Sequence, residues 1–451
     1  MFAQSEKVPA KAWICTFAGA ALNLCLGILY AWSIWKKALV SGEAGTAMTG
    51  INEGWIYLTN AEASTPFSLC VITFALFMIP GGKIQDKYSP KLGATIGGLF
   101  LAAGCILAGL MKSYTGLILG FGLLGGIGMG IGYAAPTPAA LKWFGKHRRG
   151  LIAGIVVAGY GGAAIYIGFL GEYLISHYGI TGSFVGLGFI FALVVIITGQ
   201  LLYSPPEGYI PPCTPVEALK KNTASNNSIE NQENWNPGEM LKTWQYYALF
   251  ILFMFNTQSG LLIIANAAGL LKQAASDVPF LAMNAWILVS FGGIVNAAGR
   301  VGTGMYSDKI GRLKAYCINC AISAVCLFML PFVIASGNVI LLFIVVGIAY
   351  WQYGGGLSLL PSFTADFFGA KNLGINYGLI FVGWGCGFFM AKVGGAIEDI
   401  FHNLNYAFYI SGSLLIVAIL LASITKKPTK SRFVAEKLSF QKSPSFALSP
   451  A

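Results

Sequence analysis

A succession of long apolar segments, separated by short polar ones, is the feature that most limits what this chain can fold into. About 20 consecutive apolar residues, wound as an α-helix, cross the hydrocarbon core of a bilayer. Only 10% of the 451 residues are charged, whereas a soluble chain carries about 25%. The sequence therefore predicts an all-α membrane protein with twelve transmembrane helices. We place them at residues 12–35, 60–82, 92–112, 116–140, 150–172, 183–203, 244–271, 282–306, 313–335, 337–361, 373–396 and 405–425.

The polar segment 204–243, rich in Pro, Asn, Lys and Glu, divides these helices into two sets of six. We expect residues 1–203 to form an N-terminal six-helix bundle and residues 244–425 a C-terminal one. The segment between them is predicted to be a central cytoplasmic loop. The tail 426–451 is basic and contains Ser and Pro, so we expect it to be disordered and cytoplasmic.

Most basic residues fall at one end of the predicted helices. Two of the loops at that end contain Lys142, Lys146, Arg148 and Arg149, and Lys309, Arg312 and Lys314. Because Lys and Arg are retained on the cytoplasmic side, both termini are predicted to be cytoplasmic, in the inner or plasma membrane. This distribution also accounts for the net charge of +11, so the charge predicts no nucleic-acid partner.

Two short motifs occur once in each predicted half. Gly82 and Asp86 follow the second helix, and Gly304 and Asp308 follow the eighth, with Arg312 close behind. The two Asp residues are 222 positions apart. Two further motifs are 224 positions apart, Trp143-Phe144-Gly145 after the fourth helix and Phe367-Phe368-Gly369 after the tenth. Two landmarks at nearly one offset indicate a duplicated six-helix unit, and therefore two pseudo-symmetric halves.

The repeated Gly-x-x-x-Asp motif resembles the signature of the major facilitator superfamily. A narrower resemblance, over nearly the whole chain, is to the oxalate/formate antiporter family, which is similar to the monocarboxylate transporters. It is carried by Tyr30-Ala31-Trp32, Gly132-Tyr133 with Pro136 and Pro138, Lys142-Trp143-Phe144 with Arg149-Gly150, Gly299-Arg300, Ser307-Asp308-Lys309-Ile310-Gly311-Arg312 and Asn376-Tyr377-Gly378-Leu379. The resemblance implies the major facilitator fold and transport of small organic anions such as oxalate, formate, lactate or pyruvate, by exchange or together with protons.

Arg300 is the candidate cation for binding an organic anion. It precedes Asp308 by eight residues, which at 1.5 Å per residue places it about 12 Å inward along a helix. A central Arg costs at least about 2.5 kcal/mol to insert, so it should face a cavity or a partner. The alternative is a structural Arg paired with a buried acid, and no acid falls in the central part of any predicted span. Asn296, one turn earlier on the same face, is predicted to orient Arg300 or to contact substrate.

Aromatic residues at depth provide candidate walls for a binding cavity. Tyr and Trp usually concentrate at the membrane interfaces, so several inside the predicted helices indicate a lined cavity, with core packing as the alternative for each one. These are Tyr30, Trp32, Tyr133, Tyr160, Trp351 and Trp384. By the resemblance, Tyr30, Tyr133, Tyr160 and Trp351 match aromatic pocket positions.

The resemblance also bears on substrate charge. In oxalate-carrying members a lysine is expected near the middle of helix eleven, and the aligned position here is Trp384. Two cations suit a dianion, whereas the single Arg300 suits a monoanion. The presence of Trp384 in place of a lysine therefore favours monocarboxylates over oxalate as substrates.

The remaining charged residues are expected to act at the ends of helices. Lys392, near the outer boundary of helix eleven, can extend to water or serve as an outer attraction or gating charge. Asp86 and Asp308 are predicted to be structural or gating residues, and Asp366 to be a solvated loop charge. Neither a metal site nor a cofactor is predicted.

The favoured function is thus a secondary active transporter of small carboxylates, which works either by exchange of anions or by symport with protons. It is expected to be a monomer. The alternatives are an oxalate or dicarboxylate–formate exchanger and, outside transport, a membrane sensor or receptor. An enzyme is not predicted, because the spans contain no cluster of His or paired carboxylates.

Overall fold

The regular elements of the described residues are helices, apart from one isolated bridge between Ala47 and Ile56. The computed structural model describes residues 8–212, 234–275, 278–283, 286–387, 389–401 and 403–430. The middle of the predicted central loop (213–233) and most of the predicted tail (431–451) lie outside these residues. The boundaries placed around that loop and tail stay a prediction.

The first six long helices form the N-terminal half. They are α1 (Ala10–Leu39), α2 (Asn60–Lys87), α3 (Pro90–Leu110), α4 (Tyr114–Leu141), α5 (149–178) and α6 (180–200). Two of them are irregular along their length: α1 narrows to a 3₁₀ helix at Gly27–Ala31, and α4 widens to a π-helix at Leu117–Gly125. Such interruptions often mark functional positions in helices.

The C-terminal half contains six further helices. They are α7 (Trp244–Ala274), α8 (Trp286–Ile310), α9 (Arg312–Ala335), α10 (Val339–Phe368), α11 (described as Leu373–Gly387 and Phe389–Phe401) and α12 (Asn405–Ile424). Within the described residues, ten helices of the two halves are long and apolar enough to cross a membrane. With α8 and α11 they make up the twelve-helix bundle that the sequence predicted.

The helix boundaries differ from the prediction at functionally relevant places. Gly82 and Asp86 lie in the last turns of α2, and Gly304 and Asp308 in the last turns of α8, rather than in loops after them. Hydropathy marks where the apolar stretch stops, but the helix continues because its polar end residues find partners on neighbouring helices. The predicted gap between helices five and six is also helical, with a single break at Gly179, where φ is +70°.

The outer surface of the bundle is apolar. At least half of each of these large side chains is exposed: Phe17, Leu76, Phe189, Leu193, Phe332, Ile340 and Leu420. Polar side chains such as Asn23, Asn256 and Asn319 are instead fully buried between helices. An apolar exterior around a partly polar interior is the arrangement that a lipid environment favours.

Glycines bring the two halves into backbone contact at two helix pairs, which we call the α2–α11 contact and the α5–α8 contact. A methyl group at Gly82 would overlap the carbonyl of Gly374. A methyl group at Gly304 would overlap the carbonyl of Gly150. Small residues allow this close approach of helices in membranes, and these two pairs position the residues of the central site.

Candidate functional site

Arg300 lies at the centre of the interface between the halves and is fully buried. Its Nε donates to Oδ1 of Asn296 at 3.0 Å, and its Nη1 donates to the carbonyl of Val157 on α5 at 2.7 Å. Its Nη2 donates to the hydroxyl of Tyr30 on α1 at 3.4 Å. These three acceptors are neutral. A buried guanidinium whose described partners carry no negative charge is unfavourable by itself and favours an anion beside it.

Two glycines of α5 create the space in which Arg300 lies. A methyl group at Gly161 would stand 2.8 Å from Arg300 Nε. A methyl group at Gly154 would overlap the carbonyl of Arg300. Because neither position has a side chain, the guanidinium can cross the surface of α5 and reach the carbonyl of Val157.

Tyr30 reaches Arg300 because α1 changes its geometry at this level. Gly27 begins the 3₁₀ segment, and a methyl group there would overlap the carbonyl of Tyr160, so α1 and α5 touch through their backbones. The rings of Tyr30 and Tyr160 then meet edge to face at a centroid distance of 5.3 Å. Tyr160 makes a second edge-to-face contact with Tyr133 of α4 at 5.1 Å.

An aromatic wall from the α2–α11 contact encloses the other side of the cluster. Phe74 of α2 lies 5.3 Å from both Phe381 and Trp384 of α11, measured between ring centroids. Phe381 and Trp384 stack at 5.2 Å with an interplanar angle of 28°. Phe74 also contacts Tyr133 and Tyr160 at 5.5 and 5.7 Å. The aromatic rings therefore form a continuous wall that belongs to both halves.

A chain of hydroxyl groups connects Arg300 to this wall. The hydroxyls of Tyr30 and Tyr353 are 3.0 Å apart. Trp384 Nε1 donates to the hydroxyl of Tyr353 at 3.3 Å. One polar line thus runs from Arg300 through Tyr30 and Tyr353 to Trp384 and crosses between the halves.

The structure brings six of the predicted site residues into one cluster and leaves Trp351 outside it, together with Trp32, which stacks on Phe121 at 4.3 Å. The six are Arg300, Asn296, Tyr30, Tyr133, Tyr160 and Trp384. Trp351 is not among them, because its indole lies against Gly302 and its carbonyl against Gly299 of α8. The side chain of Lys392 lies outside the described part of the chain.

Three members of the cluster were missed by sequence reasoning: Phe74, Tyr353 and Phe381. Tyr353 follows Trp351 by two positions on the same helix, so the sequence offered two aromatic candidates there. Only the rotation of α10 against α1 and α8 distinguishes them. Phe74 and Phe381 carry no polar group to single them out among 31 phenylalanines.

Asp86 and Asp308 each cap the first turn of a helix in the opposite half. Asp86 Oδ2 accepts a hydrogen bond from the amide of Ile375 on α11 at 2.9 Å. Asp308 accepts from the amides of Gly150 and Leu151 on α5, at 2.8 and 2.9 Å. A carboxylate at a helix N-terminus is favourable because amides and helix dipole both point at it. Each Asp therefore stabilises contact between the halves at the end of the bundle that carries the basic loops.

Arg312 and Asp366 extend the arrangement around Asp308. Arg312 forms ion pairs with Asp308 and, at 3.2 Å, with Asp366. Asp366 also pairs with Arg149 of the other half at 3.0 Å. The expectation of a solvated loop charge at Asp366 is therefore wrong: the residue lies in the last turn of α10, where two guanidinium groups reach it.

No group of three His, Cys, Asp or Glu side chains is placed to bind a metal ion within the described residues. What the cluster offers is one cation, several hydroxyls and an aromatic enclosure. These groups suit the binding of a small organic anion without a covalent step.

Comparison with known proteins gives one consistent result. Residues 12–391 match the family model described as Major Facilitator Superfamily. The oxalate:formate antiporter of Oxalobacter formigenes is 27% identical over 407 residues, which cover 90% of this chain and 89% of that protein. The uncharacterized MFS-type transporter YhjX of Escherichia coli (strain K12) is 27% identical over 375 residues, 83% of this chain and 85% of that one.

A solved structure shows the same fold. The proton:xylose symporter XylE bound to 6-bromo-6-deoxy-D-glucose superposes with a TM-score of 0.68, covering 95% of this chain and 100% of that one. Sequence identity is 14%, so the likeness concerns architecture alone.

Proposed function

Because this chain belongs to the Major Facilitator Superfamily and has its multi-pass transporter fold, we propose that it is a secondary active transporter of small organic anions. The substrates we propose are monocarboxylates such as formate, lactate or pyruvate. They cross by alternating access around the central site, either in exchange for another anion or with protons.

The observation that carries this proposal is the environment of Arg300. The side chain is fully buried, and its described hydrogen bonds go to Asn296, Val157 and Tyr30, none of which is charged. A carboxylate that leaves water loses its hydration, which a fixed cation and hydrogen-bond donors can replace. The guanidinium is planar and can bind a carboxylate through two parallel hydrogen bonds. One cation in the cluster matches one negative charge on the substrate.

Substitution of Arg300 tests the proposal. Arg300→Ala should reduce substrate affinity at least about tenfold, because charge-assisted hydrogen bonds contribute about 1.5–3 kcal/mol each. Arg300→Lys keeps the charge but loses the two-pronged geometry, so it should also bind weakly. The measurement is counterflow of labelled formate, lactate and pyruvate into proteoliposomes, which detects both exchangers and proton-coupled carriers.

A matched control is Lys309→Ala, which removes an exposed cation from the same helix and should leave counterflow unchanged. Abundance in the membrane is measured for every variant. If Arg300→Ala carries these anions with wild-type rate and affinity, the site is wrongly assigned, and Lys392 becomes the next residue to substitute.

A second candidate is exchange of oxalate or another dicarboxylate for formate. It is favoured by the similarity to the oxalate:formate antiporter over 90% of this chain. Trp384 argues against it, because the indole stands where a second cation would be expected. Oxalate that outcompetes formate, lactate and pyruvate in the same assay would establish the second candidate. Specific binding without counterflow of any anion would instead indicate a sensor.

The distribution of basic residues among the loops supports one membrane and one orientation. We propose a cell membrane, inner or plasma, with both termini on the cytoplasmic side. A monomer is the expected functional unit. A reporter fused after residue 451 should be accessible from the cytoplasm, and an opposite result would reverse the orientation.

A further inference from the structure

The hydrogen-bonded series of Arg300, Tyr30, Tyr353 and Trp384 has one more hydroxyl hydrogen than the series itself can accept. Arg300 Nη2 donates to Tyr30, and Trp384 Nε1 donates to Tyr353. Guanidinium and indole N–H groups can only donate. The hydroxyls of Tyr30 and Tyr353, 3.0 Å apart, share one hydrogen bond. Because the two hydroxyls carry two hydrogens and their mutual bond uses one, one O–H group remains for an acceptor outside the series.

The charge of Arg300 favours one of the two hydroxyls as the one that keeps that hydrogen. A hydrogen bond from the guanidinium polarises the hydroxyl of Tyr30 and makes it the better donor. Either hydroxyl could be the donor by geometry, and the charge favours the direction in which Tyr30 donates. The oxygen of Tyr353 then accepts from both Tyr30 and Trp384. The hydroxyl hydrogen of Tyr353 is left without a partner in the series. Tyr353 is 1% exposed, and a buried donor without an acceptor is unfavourable.

We propose that Tyr353 is a specificity-determining residue that donates this hydrogen bond to a second acceptor on the substrate, beyond the carboxylate bound by Arg300. The proposal rests on the proposed function. It predicts a preference for short 2-oxo monocarboxylates, whose carbonyl oxygen accepts without bringing a donor. The aromatic wall of Phe74 and Phe381 contacts the remaining alkyl group.

Pyruvate and propionate provide the sharpest pair of probes. They have the same number of carbon atoms and the same charge at neutral pH, and they differ in a carbonyl at position 2. Lactate is the intermediate case, because its hydroxyl can accept from Tyr353 but adds a hydrogen that needs an acceptor of its own. The expected order of affinity is pyruvate, then lactate, then propionate.

The experiment measures counterflow of labelled pyruvate in proteoliposomes and its competition by unlabelled lactate and propionate. The wild-type chain should prefer pyruvate to propionate about tenfold, the effect of one hydrogen bond to a buried partner. Tyr353→Phe should weaken the binding of pyruvate much more than that of propionate, and so remove most of that preference. The matched control is Tyr350→Phe on the same helix, a buried tyrosine that packs against Gly292 and should leave the preference intact.

Three outcomes overturn the proposal, and they separate it from the proposed function. Two of these outcomes are that the wild-type chain carries both acids without preference, and that Tyr353→Phe weakens the binding of both equally. Either would show that Tyr353 donates no hydrogen bond to a second acceptor, although the chain remains a monocarboxylate transporter. If no monocarboxylate is carried, the proposed function fails and this inference fails with it. The wild-type preference alone decides the matter should Tyr353→Phe not insert.

Discussion

The two contacts that join the halves, α2–α11 and α5–α8, can be compared residue by residue. In both, a glycine near the end of a long helix lies against the backbone of a helix in the other half. In the first pair these are Gly82 and Gly374, and in the second Gly304 and Gly150. Each of the two receiving helices has another glycine one turn later, Gly378 or Gly154, that also touches the opposite backbone.

The charges around the two contacts differ. At the α2–α11 contact, Asp86 pairs with Lys142 of its own half at 3.4 Å. At the α5–α8 contact, Asp366 connects Arg312 of its own half to Arg149 of the other. The backbone geometry has thus been repeated while the side-chain electrostatics have not. We infer that the α5–α8 contact holds the halves together more strongly and that the α2–α11 contact opens more easily.

The largest expected effect tests the shared geometry. Gly82→Ala and Gly304→Ala each place a methyl group into an opposing carbonyl. Overpacking of about 3 kcal/mol would disfavour the closed contact and reduce counterflow about a hundredfold. Because the two geometries match, the two losses should agree within about threefold.

Gly186→Ala is the control for this pair, since a methyl group on that membrane helix has no atom within 4 Å. It should retain wild-type counterflow. If Gly82→Ala and Gly304→Ala differ by more than about tenfold, the repeated backbone plan does not govern both contacts.

The next effect tests the difference in charge. Asp308→Asn removes the charge that caps two amides and pairs with Arg312, while Arg312 keeps its pair with Asp366. The loss of these charge-assisted bonds should cost about 2 kcal/mol. Asp86→Asn should cost less, because Asp86 caps Ile375 and its cation Lys142 is partly exposed. Hydrogen exchange is the measurement, read on peptides that begin at Gly150 and at Gly374 respectively. Equal acceleration in the two peptides would contradict the comparison.

The smallest expected effect comes from a substitution that makes the α5–α8 contact resemble the α2–α11 contact. Residue 149 corresponds to Leu373 in the repeat, so Arg149→Leu removes the ion pair between the halves and leaves Arg312 on Asp366. The free energy of unfolding should fall by about 1 kcal/mol, because Asp366 is partly exposed and solvent screens its ion pair. Arg148→Leu, at the exposed neighbouring position, is the control. A melting temperature that falls equally in both variants would show that the ion pair between the halves contributes nothing.

The long apolar segments were sufficient to predict the twelve helices, because a chain that crosses lipid must satisfy its backbone hydrogen bonds internally. The spacing of Asp86 and Asp308 predicted the duplication. Arg300 and Asn296 were predictable as a pair because residues four apart share a helix face. These features depend on local sequence and on the cost of charge in a membrane.

The rest of the site depends on how the helices are rotated against one another. Trp351 and Tyr353 differ by about 200° around a helix with 3.6 residues per turn, and the sequence does not say which side faces Arg300. Asp366 looked like a loop charge because its two partners come from α5 and α9, both distant in the sequence. Helix ends extended past the apolar stretches for the same reason: their partners are tertiary.

The glycine contacts bear on how fast the molecule can change shape. Two surfaces made of backbone and hydrogen atoms have no interlocked rotamers, so they separate without the ordering and disordering of long side chains. What remains to be broken at these contacts is a small number of directional interactions: the bonds that Asp86 and Asp308 accept from helix amides, and the ion pair between Asp366 and Arg149. Water can replace each of these bonds as it breaks, so the activation barrier to opening is lowered without loosening the closed form. If breaking the bonds to these carboxylates limits the turnover rate, the rate should rise as water competes for their oxygens. The dependence of the rate on osmotic stress measures this effect.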